Sequence, residues 1–266
     1  MFREGDEDAL LATPNSSSEL SIRDFKPRTS INDPGLSRRN ATQDQKFPSG
    51  VGHSPIATNN VGSFESHLLT MRGILMSHDL AHLRTIFTSA LAADCLDELG
   101  YGKQVLGEDI HMLSGEGVML GYAFPVQLEE VNSFPEVPYV GLLKTIDAVQ
   151  KDQVYVAPTG RTGKAALWGE LLSTACNFKE VAGFLGDGPS RDLVRTRALG
   201  FKMFGTGSLP VNINGRYEVV AHNVPGVIDG VAIHPGDLIV GDIDGVTIVP
   251  VAAINKVVEM VIEKNS

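Results

Sequence analysis

Gly163 to Asp192 reads GKAALWGELLSTACNFKEVAGFLGDGPSRD, and the way this stretch is divided into elements decides the fold. Trp168-Gly169-Glu170 forms a turn that opens a helix. A helix start led by glycine leaves its first backbone N–H groups unpaired at the positive end of the helix dipole, which suits a small carboxylate. Val181-Ala182-Gly183-Phe184-Leu185 then reads as a buried strand. Asp187, Arg191 and Asp192 follow it, at the carboxyl end where ligands gather in α/β architectures.

Working outward toward the N-terminus, Gln153–Ala157 and Gly117–Val126 read as strands and Leu142–Val149 as a helix. Glu129 to Pro138, with its acids and prolines, reads as a loop. Strand, helix and strand alternating with short connections predict an α/β domain. Further upstream, Phe64 to Gly100 carries apolar residues at helical intervals, with Ser89 as the cap of a helix over Leu91–Leu99 that stops at Gly100. Residues 1–65 are rich in Ser, Asn, Asp, Pro and Gly and are expected to form a disordered polar tail ahead of a domain over 66–266.

Toward the C-terminus, Asp192–Leu199 reads as a short helix stopped by Gly200, and Lys202–Phe204 as the next strand. Apolar runs between Val227 and Val249 fall into strands punctuated by Pro-Gly-Asp and Asp-Ile-Asp-Gly turns. Asp237, Asp242 and Asp244 sit beside glycine in those turns, which favours a structural role over metal ligation. Ile254–Ile262 has the period of an amphipathic helix, suited to packing on a neighbouring subunit.

Several function classes are disfavoured. A formal net charge of -10 argues against a nucleic-acid partner, since phosphate-backbone binders concentrate Lys and Arg. Pro158–Lys164 has the residue types of a phosphate loop, but only Arg161 and Thr162 separate Gly160 from Gly163 where a P-loop needs four residues. A surface turn or a substrate-covering loop is the reading left. Cys95 and Cys176 read as reduced core thiols, and no apolar run is long enough to span a membrane. The expected location is cytoplasmic.

Three ordered blocks resemble the metal-dependent pyruvate aldolases of the 4-hydroxy-4-methyl-2-oxoglutarate aldolase family, whose fold is shared with the regulator of ribonuclease activity A. They are Ser89–Gly100, the pair formed by Glu170 and Arg191-Asp192 with twenty residues between, and His234–Pro250. The middle block is similar to the family's acid-x20-Arg-Asp signature. The resemblance implies a layered β/β/α fold and a homotrimer or homohexamer with sites near subunit interfaces. It also implies a small 2-oxo acid bound by Arg191 and the N–H groups of Gly169, Glu170, Leu171 and Leu172. Asp192 would be the ligand of Mg2+ or Mn2+, Arg191 would stabilise the enolate oxygen, and Glu170 would hold metal-bound water and relay protons. The activity implied is cleavage of 4-hydroxy-2-oxo dicarboxylates to pyruvate, with oxaloacetate decarboxylation. Asp187 would take a supporting role. Departures from the family pattern are Glu170 in place of Asp, Ser190, and Leu193-Val194-Arg195-Thr196 where a further acid is usual. The alternative is a non-catalytic binding protein of the ribonuclease-regulator type.

Overall fold

The computed structural model describes residues 79–161 and 163–266. The proposed tail over 1–65, the domain start at 66 and the upstream part of the helical pattern lie outside the described residues. Helix α1 (Leu80–Ile86) begins at Asp79, whose carboxylate accepts from the N–H groups of Ala81 and His82. Helix α2 (Ser89–Glu98) follows. Strands β1 (His111–Ser114) and β2 (Met119–Glu130) lead to α3 (Val140–Ala148). Then β3 (Gln153–Ala157), α4 (Glu170–Phe178), β4 (Gly183–Gly186), α5 (Leu193–Leu199) and β5 (Met203–Gly205) alternate. Strands β6 (Tyr217–His222), β7 (Gly226–Ile228), β8 (Val231–Ile233), β9 (Leu238–Asp242) and β10 (Gly245–Val249) precede a closing helix α6 (Ile254–Lys264).

The main sheet runs β1-β5-β4-β3-β2-β9-β10, with β6 joined to the far end of β2. Strands β2, β3, β4 and β5 pair in parallel, each linked to the next through a helix. The two ends of the order, β1 and β10, come back close to each other, so the sheet curls. Side-chain alternation then fills both faces. On β3, Val154 and Val156 enter the inner core with Met119, Leu185, Phe204 and Ile239, while Tyr155 and Ala157 face an outer core with Phe124, Trp168 and Phe184. The β7–β8 hairpin adds Ile228, Val231 and Ile233 to the inner core. Hairpin, curled sheet and outer helices give the mixed α/β layering expected from the sequence. Strands buried on both faces read as continuous apolar runs, which is why they were legible.

Five local readings are corrected. Thr88, not Ser89, caps α2, its Oγ1 accepting from the Leu91 N–H at 3.0 Å. Ser89 is buried, with its N–H and Oγ on the Asp242 carboxylate at 2.7 and 2.6 Å. Glu129 and Glu130 are strand, not loop, because they pair with Glu218 and Tyr217 of β6. The apolar face of α6 is covered within the chain: Ile254, Val257, Val258 and Val261 pack with Ala92, Cys95 and Leu96 of α2. The strand read over Val181–Leu185 lies two residues later at its start, and that over Lys202–Phe204 one residue later. No helix among the described residues is long and apolar enough to cross a membrane.

Candidate functional site

Ala157 at the end of β3 pairs in parallel with Gly186 at the end of β4, so the two following loops leave the sheet side by side. They stay together. Trp168 and Ser190 form an isolated parallel bridge, and the Arg191 N–H donates to the Trp168 carbonyl at 2.9 Å. Trp168 is fully buried, stacked on Phe184 with centroids 4.4 Å apart, and its Nε1–H donates to Ser173 Oγ at 2.9 Å. The indole therefore fastens the start of α4 to the core.

Gly169 follows as the N-cap of α4, in extended backbone (φ -172°) that any residue adopts. Crowding favours glycine there: a Cβ would lie 2.7 Å from Asp192 Oδ2 and 2.9 Å from Arg191 Cγ, so those side chains would have to shift. Asp192 is the N-cap of α5 yet makes no side-chain bond to its own helix, because its left-handed backbone (φ 57°) turns the carboxylate away. Asp tolerates that conformation better than most residues. Its Oδ2 instead accepts from the Glu170 N–H at 3.4 Å and lies 3.4 Å from Arg191 Nε. The carboxylate thus sits at the positive end of α4.

Gly169, Leu171, Leu172, Arg191 and Asp192 line one open cleft with a cavity volume of about 180 Å³. Five of the six residues singled out in the sequence are brought together. The N–H groups of Leu171 and Leu172, in the first turn of α4, have no acceptor within their own helix, and both residues line the cleft. Glu170 differs: its N–H is directed to Asp192, while its carboxylate reaches Arg195, 3.5 Å away, outside the cleft lining. Sequence reasoning missed Tyr139, Leu142, Leu143, Asn212 and Ile213, which form the opposite wall. The one local sign was Asn212, a polar residue between Val211 and Ile213; the bridge that brings it to Ala166 is long-range.

Asp187 stands apart from the cleft. Its buried carboxylate accepts from the N–H and Oγ1 of Thr159, tying the loop after β3 to the loop after β4. The rest of that first loop is pinned by ion pairs from Arg161 to Asp109 and Asp229 and from Lys164 to Glu130. Asp242 accepts from Ser89 and from the Asp244 N–H, and Asp237 from the His234 and Val251 N–H groups, so both brace turns. Burial outweighs those bonds and raises the Asp237 carboxyl above its ordinary value. Burial also pushes the Cys176 thiol up to about 12.

Among the described residues no three His, Cys, Asp or Glu side chains converge to enclose a metal. What the cleft offers is one oxygen ligand, Asp192, beside an open volume. That set fits a hard, hydrated cation such as Mg2+, which is bound through one or two carboxylates and keeps water and substrate oxygens as its other ligands. It does not fit zinc.

Comparison with known proteins agrees with this architecture. Residues 89–248 match the RraA-like family, described as Aldolase/RraA. A protein of Halalkalibacterium halodurans named "Putative 4-hydroxy-4-methyl-2-oxoglutarate aldolase" is 30% identical over 171 residues, 64% of this chain and 76% of that protein. An uncharacterized protein of Methanocaldococcus jannaschii is 34% identical over 120 residues, 44% of this chain and 57% of its own length. Among solved structures, a Streptomyces coelicolor protein described as an unusual member of the RNase ES inhibitor RraA protein family superposes with a TM-score of 0.58. It is 28% identical, over 67% of this chain and 87% of that one.

Proposed function

This chain belongs to the RraA-like family, and from that premise we propose that it is a divalent-metal-dependent lyase acting on 4-hydroxy-2-oxo dicarboxylates to release pyruvate, with oxaloacetate decarboxylation as a second activity. The observation that carries the reading is the convergence of Arg191, Asp192 and the start of α4 on one cleft. The substrate carboxylate lies on the free N–H groups of Leu171 and Leu172, beside Gly169. Its 2-oxo oxygen faces Arg191. When the C3–C4 bond breaks, the electron pair passes to that oxygen, and a guanidinium fixed beside it favours the enolate over the ground-state ketone. The 4-hydroxyl proton leaves as the C4 carbonyl forms, and Glu170, between the cleft-lining Gly169 and Leu171, relays it through water to C3 of the enolate, which completes pyruvate. Asp192 would hold Mg2+ or Mn2+, which when bound would supply additional positive charge near the substrate oxygens.

The assembly proposed is a homotrimer or homohexamer, in which Leu143 and Leu171, both exposed in the isolated chain, lie near a neighbouring copy. Light scattering on the purified protein measures it.

The test is pyruvate release from 4-hydroxy-4-methyl-2-oxoglutarate and from oxaloacetate, with and without Mg2+, for wild type and Asp192→Asn. Asn keeps the tolerance for left-handed backbone and removes the charge. Turnover is expected to need the cation and to fall by about 10²-fold or more in the variant, the scale of losing one transition-state charge partner. Full metal-dependent turnover in Asp192→Asn would reject the site. Absence of turnover and of cation binding in wild type would leave the non-catalytic binding role, the class to which the Streptomyces coelicolor protein's description points.

A further inference from the structure

We infer that Tyr139 sets the size of the group admitted on C4 of the substrate, by closing the cleft off from a second cavity behind it. The inference rests on the reading above, in which Arg191 and the start of α4 hold the 2-oxo-carboxylate end, so that the C4 group meets the opposite wall. Behind that wall lies a cavity of about 70 Å³, enclosed by the start of α3, the Asn214-Gly215 turn and β6. Tyr139 and Leu142 are the two residues that line both spaces. Leu142 is buried in the outer core, whereas Tyr139 packs against that core half-buried, so its side chain is the removable part of the partition. Leu143 and Leu171, set against a neighbouring copy in the proposed assembly, do not line the second cavity.

The partition has little room to retreat. Tyr139 holds left-handed backbone (φ 65°), which a bulky residue rarely adopts and which persists where the surroundings impose it. Its carbonyl accepts from the Leu143 N–H at 2.9 Å, which fixes it to the first turn of α3. Two residues on, Gly141 is pressed so closely against β6 that an added Cβ would overlap the Val219 carbonyl oxygen. Helix α3 therefore cannot slide toward β6 to admit a larger group. Taking a water's share of liquid volume, about 30 Å³, for each chain atom, the second cavity has room for about two more.

4-Hydroxy-4-methyl-2-oxoglutarate and its 4-propyl analogue differ by two carbons and keep both carboxylates. Pyruvate release by the full chain in its native assembly, with Mg2+ present, is expected to favour the methyl compound in wild type by about tenfold or more in kcat/KM. Tyr139→Gly suits the left-handed backbone and opens the partition. An alkyl chain removed from water gains about fourfold per methylene; Asn214 and Glu218 on the far wall lower that, so the ratio is expected to shift toward the propyl compound by about fivefold or more. Tyr139→Asn also tolerates this backbone and is expected to give the same shift, which covers a failure of Tyr139→Gly to fold. Tyr139→Phe keeps the ring and is expected to keep the wild-type ratio. Equal use of both compounds by wild type, an unchanged ratio in Tyr139→Gly or Tyr139→Asn, or an equal shift in Tyr139→Phe overturns the inference and leaves the lyase reading standing. If wild type releases pyruvate from neither compound and not from oxaloacetate, the lyase reading itself fails and the inference falls with it.

Discussion

Replacing Gly169 with alanine is the most direct probe of the site, because the backbone accepts alanine and the neighbourhood does not. At φ -172° and ψ -165° the residue is extended, so the added methyl brings no backbone strain. Its cost is steric. Separation from Asp192 Oδ2 must grow from 2.7 Å to an ordinary contact of about 3.4 Å, a displacement of about 0.7 Å. The Arg191 backbone cannot yield easily, since its N–H is fixed to Trp168. The Asp192 carboxylate therefore swings away from the start of α4. Overpacking of this kind costs about 1–3 kcal/mol. In a domain of this size each kcal/mol lowers Tm by about 2–4 °C, so a fall of roughly 2–12 °C is expected. Misplacing a catalytic group by up to 1 Å costs about 10²-fold in rate. Mn2+ affinity by electron paramagnetic resonance and pyruvate release should fall together, beyond what the stability loss explains. Gly200→Ala supplies the control: its φ of 68° strains any other residue, and nothing lies within 4 Å of the added methyl. It should lower Tm while leaving cation binding intact. Unchanged Mn2+ affinity in Gly169→Ala, or an equal loss in Gly200→Ala, refutes the reasoning.

Three further outcomes are expected. Ser89→Ala removes the 2.6 Å bond to Asp242 and leaves a buried carboxylate short of a donor; urea unfolding should show a loss of about 1–3 kcal/mol with no change in cation affinity. The Cys176 thiol, raised by burial from 9.0 to about 12, is neutral in the folded chain where the unfolded chain has ionised. Its contribution is complete below pH 9 and lost as pH rises toward 12, at about 1.4 kcal/mol per pH unit, so wild type should lose stability relative to Cys176→Ala across that window. Arg195, 3.5 Å from Glu170 and largely exposed, forms a pair worth little to stability. Arg195→Gln should leave Tm unchanged and tighten Mn2+ binding by about two- to fivefold, an effect that fades as salt is added.

Much of the architecture was legible because its determinants are local. Val154 to Ala157 is apolar at every position, as a strand covered on both faces must be, and Gly200 stops α5 in the left-handed conformation its residue type favours. The misreadings share a cause. Glu129 and Glu130 look like loop residues until β6 supplies their partners, and Ser89 looks like a cap until Asp242, far along the chain, captures it. The opposite wall of the cleft was illegible for the same reason. Tyr139 and Leu142 belong to the start of α3 and Ile213 to a connecting segment, and neither carries a chemical sign of what faces it.

The pairing of Glu170 with Arg191-Asp192 was visible only as a spacing, and the structure gives that spacing a physical origin. From Glu170 the chain descends through the nine residues of α4, about 13.5 Å at 1.5 Å each. It returns through the four residues of β4, about 13 Å at 3.3 Å each. Helix and strand cover equal distances in opposite directions, so the residues after β4 arrive level with the start of α4. The parallel register of Ala157 with Gly186 fixes the sideways position, and the Trp168–Ser190 bridge carries it beyond the sheet. A residue added to or removed from β4 would shift Arg191 by about 3.3 Å along the strand and reverse the faces of Phe184 and Leu185 between the outer and inner cores. The interval between acid and Arg-Asp is therefore held by core packing as much as by chemistry, and a binding protein without catalysis would keep it too. What separates the two is the charge on Asp192, which the core does not use.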